Sequence, residues 1–155
     1  MRSSSKKPLN LRAQKLLLDQ CFPEAACTIK GRTLIWEGKI RPSVVSCFYQ
    51  IRIIYTLGEP PDVFVLSPDL QTVSDATKPG RRPPHIYGTN PLKLCLYLPG
   101  TSQWNSGNPL VTKIVPWTIM WLSFFEDWVF TDVWSGGGTH PNVKELEEPG
   151  SGAKA

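Results

Sequence analysis

The sequence has no run of twenty apolar residues, no CxxC pair, no glycine-rich phosphate loop and only two histidines in 155 residues. Each absence removes a class of function. The longest nearly uncharged apolar stretch, residues 114–125, is twelve residues long, whereas a membrane helix needs about 20. Near the basic start the only apolar cluster is residues 16–18, too short for the core of a signal peptide. The expectation is an intracellular, cytoplasmic protein with reduced thiols and no membrane association. Cys21, Cys27, Cys47 and Cys95 stand at no zinc-ligand spacing from one another or from His85 and His140, so no metal site is expected. Neither a P-loop nor a dinucleotide fingerprint occurs, and no cofactor is expected. The glycine run at 136–138 follows a helical pattern instead of opening one, which is the wrong end for phosphate. The acidic residues show no pairing suited to two-carboxylate chemistry.

Charge is sparse outside the N-terminus. Net charge is +4, yet Arg2, Lys6, Lys7, Arg12 and Lys15 stand in the first sixteen residues without an acid, and the other 139 carry 12 bases and 13 acids. A nucleic-acid-binding domain would spread its bases over a face of the fold. The pattern reads as a solvated basic arm and first helix, with no nucleic acid partner.

What is present is enough for one core. Hydrophobic residues make up 41% and charged residues 19%, too apolar for a disordered chain. Fifteen prolines and twelve glycines require many loops. The length fits a single domain, residues 1–144, followed by a flexible Glu-, Gly-, Ser- and Ala-bearing tail at 145–155.

Residues 8–20 read as a helix with Leu9, Leu16, Leu17 and Gln20 roughly on one face, stopped by Pro23. Strand-like runs follow at 26–30, 33–39, 46–55 and 63–66, the first two joined at Gly31. Residues 67–91 hold five prolines and two glycines and read as a long crossing without regular structure. Residues 92–98 read as extended. A second main helix covers 110–130, with Asn108-Pro109 at its start, Pro116 kinking it or delaying it, and residues 135–138 ending it. Helix, then antiparallel meander, then helix predicts an α+β fold. Trp117, Trp121 and Trp128 share a helical face and read as core.

Among the thiols, Cys95 draws chemical interest. Alternation over 92–98 sends Leu92, Leu94, Leu96 and Leu98 to the core and Lys93, Cys95 and Tyr97 to the other face. Cys47 reads as core, and Cys21 and Cys27 as structural. His85 stands ten residues before Cys95, and a Cys with a His makes an activated nucleophile when the fold joins them. Spacing alone leaves open a half-buried thiol of no chemical importance and a histidine that merely orders its loop.

The order of these features resembles the ubiquitin-conjugating enzymes. That family commonly reads His-Pro-Asn, then a cysteine ten residues after the histidine, then a tryptophan before the second helix. The matching residues are His85-Ile86-Tyr87, Leu94-Cys95-Leu96 and Trp104, with Pro60-Pro61 ahead of the fourth strand. The closer resemblance, over roughly residues 26–142, is to the bacterial relatives in the CBASS antiphage signalling operons. It is carried by HIYGTNPLKLCLYLPGTSQW, Pro116-Trp117, Trp121-Leu122, Glu126, Trp128 and the run from Trp134 to His140.

The resemblance implies a ubiquitin-conjugating-like fold with N-terminal helix, four-stranded antiparallel meander, active-site loop and C-terminal helix. It implies a transferase that holds the C-terminal glycine of a cGAS-like nucleotidyltransferase as a Cys95 thioester and passes it to a target protein lysine. His85 would order the loop or assist proton transfer, and Tyr97 and Trp104 would frame the groove. Tyr87 stands where the family has asparagine, so its hydroxyl or backbone amides would stabilise the oxyanion. Two rival readings remain: an inactive module that docks the nucleotidyltransferase, and a thiol hydrolase using Cys95 and His85.

Overall fold

A computed structural model describes residues 7–97 and 103–136. The expected domain end at 144, the tail at 145–155, His140 and Leu98 lie outside the described residues. Helix α1 spans Leu11–Cys21, and the Asn10 side chain caps it by accepting the Ala13 amide at 2.8 Å. Its buried face is Leu11, Gln14 and Leu18, not the predicted one; Leu16 is 59% exposed. Gln14 displaces the expected leucines because both ends of its amide are used. It donates to the Asn108 carbonyl at 2.9 Å and accepts from the Leu110 amide at 2.8 Å, tying α1 to the approach of the last helix.

Strands β1 (Ala26–Lys30), β2 (Thr33–Ile40), β3 (Tyr49–Thr56) and β4 (Asp62–Ser67) form the expected antiparallel meander. Period-two burial sends Leu34, Trp36, Tyr49, Ile51, Ile53, Tyr55, Val63 and Val65 into one core with α1 and the C-terminal helix. Gly38 is required against Trp36: a Cβ there would lie 2.5 Å from the indole ring. Strand β3 begins three residues later than expected, which leaves Cys47 exposed; Cys21 is exposed too, and Cys27 is buried.

The proline-rich crossing is irregular only in part, over residues 78–85 and at its ends. It contains helix α2 (Leu70–Thr77), capped by Asp69, and strand β5 (Ile86–Thr89). Strand β5 pairs with β6 (Leu92–Leu94), and β6 pairs with β4, giving a six-stranded sheet in the order β1-β2-β3-β4-β6-β5. The meander is therefore extended by a hairpin. Helix α3 spans Ile114–Thr131; Pro116 delays the start, standing in the first turn where its missing N–H leaves no helical bond unmade.

Asp132, left-handed at φ 66°, ends α3 ahead of the expected glycine run. Its carboxylate receives Lys78 at 2.8 Å and Arg81, and these two cations hold it below its ordinary range. Trp121 and Trp128 are buried on α3, while Trp117 is only half-buried. Ser46 and Tyr49 both donate to Glu126 at 2.8 Å, fastening α3 to the start of β3. Among the described residues no helix is long and apolar enough to cross a membrane.

Candidate functional site

The β5–β6 hairpin builds the site. Ile86 pairs with Leu94 and Gly88 with Lys93, so Tyr87 is the extra residue of a bulge. A bulge re-aims a side chain out of the regular alternation, and the Tyr87 hydroxyl stands 3.2 Å from the Cys95 Sγ. The thiol donates to that oxygen, with the Tyr97 carbonyl a second acceptor at 3.7 Å. The phenol donates in turn to the Tyr97 carbonyl across a long 3.5 Å.

Cys95 itself follows the last residue of β6. Because the strand ends at Leu94, the predicted alternation does not run through it, and the thiol is 7% exposed instead of facing solvent. Tyr97 enters the thiol's surroundings through its backbone, while its ring packs on Trp117 at 5.7 Å. His85 meets Cys95 through the main chain: the Cys95 amide donates to the His85 carbonyl at 2.9 Å. The His85 ring is buried and lies 5.1 Å from the Trp134 ring.

A pocket of about 360 Å³ opens beside this group. Pro60, Pro61, Val63, Tyr87, Leu96 and Tyr97 form much of its wall. Lys93 also lines it, paired with Asp62 at 2.8 Å and 5.5 Å above the Tyr87 ring. Trp104 is not part of that wall; its half-buried ring meets Tyr55 edge-on at 5.9 Å. The structure thus brings Cys95, Tyr87, Tyr97 and the backbone of His85 together, and sets Trp104 on the core. Lys93 and Asp62 were not singled out from the sequence; the pairing of β4 with β6 across Phe64 and Lys93 brings them together. Among the described residues no three His, Cys, Asp or Glu side chains gather to hold a metal ion.

Burial pushes the Tyr87 phenol well above its ordinary value, and the hydrogen bond from Cys95 adds to the effect. Burial likewise pushes Tyr97 up to about 12, with the charges of Asp62 and Cys95 contributing. Both phenols therefore stay protonated across the neutral range. A thiol beside a protonated phenol is an arrangement that can serve nucleophilic chemistry.

The family model for the Type II CBASS E2 protein matches residues 14–141. The chain belongs to that family. The match runs from inside α1 past the end of α3 and takes in every site residue named above. Membership gives the protein an E2-like role in CBASS antiphage defence. No curated protein matches the sequence.

Proposed function

We propose that this CBASS E2 protein has the ubiquitin-conjugating fold and is an acyl transferase with Cys95 as its nucleophile. The thiolate takes the C-terminal acyl group of a CBASS nucleotidyltransferase from an activated donor, such as an adenylate or another protein's thioester, and expels that donor's leaving group. A lysine amine of the target then attacks the thioester carbonyl. The C–N bond forms, the C–S bond breaks, and the amine's proton leaves as the Cys95 thiol is restored. A flexible glycine-ended tail suits a thiol so little exposed, because it has no side chain to exclude.

The observation that carries this reading is the 3.2 Å contact between the Cys95 Sγ and the Tyr87 hydroxyl at a bulge. Tyr87 supplies the oxyanion donor in place of the amide that the resemblance leads one to expect. The Cys95 amide is committed to the His85 carbonyl and is not free for that task. His85 acts by shaping the loop.

Co-expression with the nucleotidyltransferase, followed by intact mass with and without reductant, tests the proposal. A reductant-sensitive adduct at Cys95 is the expected result. Cys95→Ser replaces the thioester with a slower-forming, reductant-resistant oxyester, and deleting the partner's terminal glycine abolishes both. Equal binding by Cys95→Ala, with no covalent species in the wild type or the Ser variant, establishes a docking module instead. The 7% exposure of Cys95 is the observation that favours that second reading.

A further inference from the structure

The His85 carbonyl accepts two hydrogen bonds, from the Cys95 amide at 2.9 Å and from the Trp121 indole N–H at 3.1 Å. His85 sits at φ 55°, in the left-handed region. A non-glycine residue holds that conformation only where its surroundings over-determine it. Trp121 is well placed to impose it. Its ring stacks on Phe125 at 5.6 Å with an 8° interplanar angle and meets Trp134 at 5.4 Å. The direction of its N–H is therefore fixed by packing on α3, and the indole is 4% exposed.

We infer that Trp121 is a positioning residue for Cys95: its indole N–H pins the His85 carbonyl, which in turn anchors the Cys95 amide and holds the thiol against the Tyr87 hydroxyl. Sequence periodicity assigns Trp121 to the core, and its ring is core; the N–H has this separate task. Without that donor the His85 peptide is released from the left-handed turn. The Cys95 backbone then shifts, the Sγ leaves Tyr87, and the thiol opens to small reagents. The consequence for catalysis rests on the transferase reading above, whereas the clamp itself is read from thiol reactivity alone.

The test compares the wild type with Trp121→Phe and with 3-benzothienylalanine at position 121, in which sulfur replaces the N–H within nearly the same ring outline. Limited iodoacetamide labelling of the native proteins is mapped at Cys95 and at Cys27, a second buried thiol remote in sequence. The expected result is a roughly five- to tenfold faster labelling of Cys95, the size of one lost hydrogen bond, with Cys27 unchanged. Single-turnover transfer falls by a similar factor. Parallel acceleration at both thiols in the two variants means general loosening and overturns the clamp. Unchanged Cys95 labelling in the benzothienyl protein overturns it as well. Failure of wild-type transfer overturns the transferase reading only, and the labelling still decides the clamp.

Discussion

Two groups face the Cys95 thiol, and they differ in what they do for a developing negative charge. The Tyr97 carbonyl only accepts. The Tyr87 hydroxyl accepts from the thiol and donates only across a long 3.5 Å to the Tyr97 carbonyl. Burial keeps its proton in place well above the ordinary phenol value of 10.0, so on the transferase reading that O–H turns to the developing charge. Tyr87→Phe removes the hydroxyl while leaving the ring. On the proposed transferase reading, the rate of acyl transfer should fall roughly 10²–10³-fold, as for a lost oxyanion donor, with melting temperature little changed. An unchanged rate would reduce Tyr87 to a packing role. The donor form persists through neutral pH, so no alkaline loss of rate attributable to Tyr87 is expected below about pH 10. The His85–Cys95–Trp104 order in the sequence singled Cys95 out as the candidate, but its burial was not legible there. Alternation assumes that a strand continues, and β6 stops one residue short of the thiol. Tyr87 shared that difficulty: the bulge that aims it arises from pairing with β6, a tertiary fact with only Gly88 as a local hint.

Elements were legible where periodicity was long and missed where it was short. The meander was readable because each strand alternates over five or more residues. Helix α2 has eight residues between Pro68 and Pro79, too few turns for an apolar stripe to stand out against so many loop-forming residues. What anchors it is tertiary. The Arg81 carbonyl, just beyond α2, accepts from Gln71 at 2.9 Å and Ser74 at 3.0 Å. The Arg81 guanidinium lies 3.7 Å over the Trp128 ring, binds Asp132, and reaches the Trp128 and Val129 carbonyls at the end of α3. One planar cation thus fastens α2 to the C-terminus of α3, where positive charge also complements the helix dipole. Arg81→Lys keeps the charge but loses the stacked fork. It should cost about 1–2 kcal/mol and lower the melting temperature by roughly 2–8 °C. Thermal denaturation checks this; an unchanged melting temperature would show that a point charge suffices.

Across the whole molecule, the four tyrosines make the fold sensitive to base. Tyr49, Tyr55, Tyr87 and Tyr97 are all the tyrosines of the chain, and burial is the first cause of a raised phenol value at each. At Tyr49 the hydrogen bond to Glu126 adds to it, because an ionised phenol would face a carboxylate. These residues sit on β3, on β5 and beyond β6, so they sample both the central sheet and the site. The folded phenols ionise above the unfolded value of about 10. Their contribution to stability is therefore complete below about pH 10 and is lost as pH climbs from there towards the folded values. The melting temperature should be level with respect to tyrosine titration between about pH 7 and 9 and fall beyond about 10. All four phenols are raised, the half-buried Tyr87 and Tyr97 included, so tyrosinate absorbance should rise mainly beyond about pH 10, alongside loss of the native circular dichroism. Tyrosinate appearing near pH 10 in a chain that keeps its native signal would contradict the raised value of at least one of the four. Tyr87→Phe identifies whether the site phenol is the early one, since that variant alone would remove its share of the premature signal.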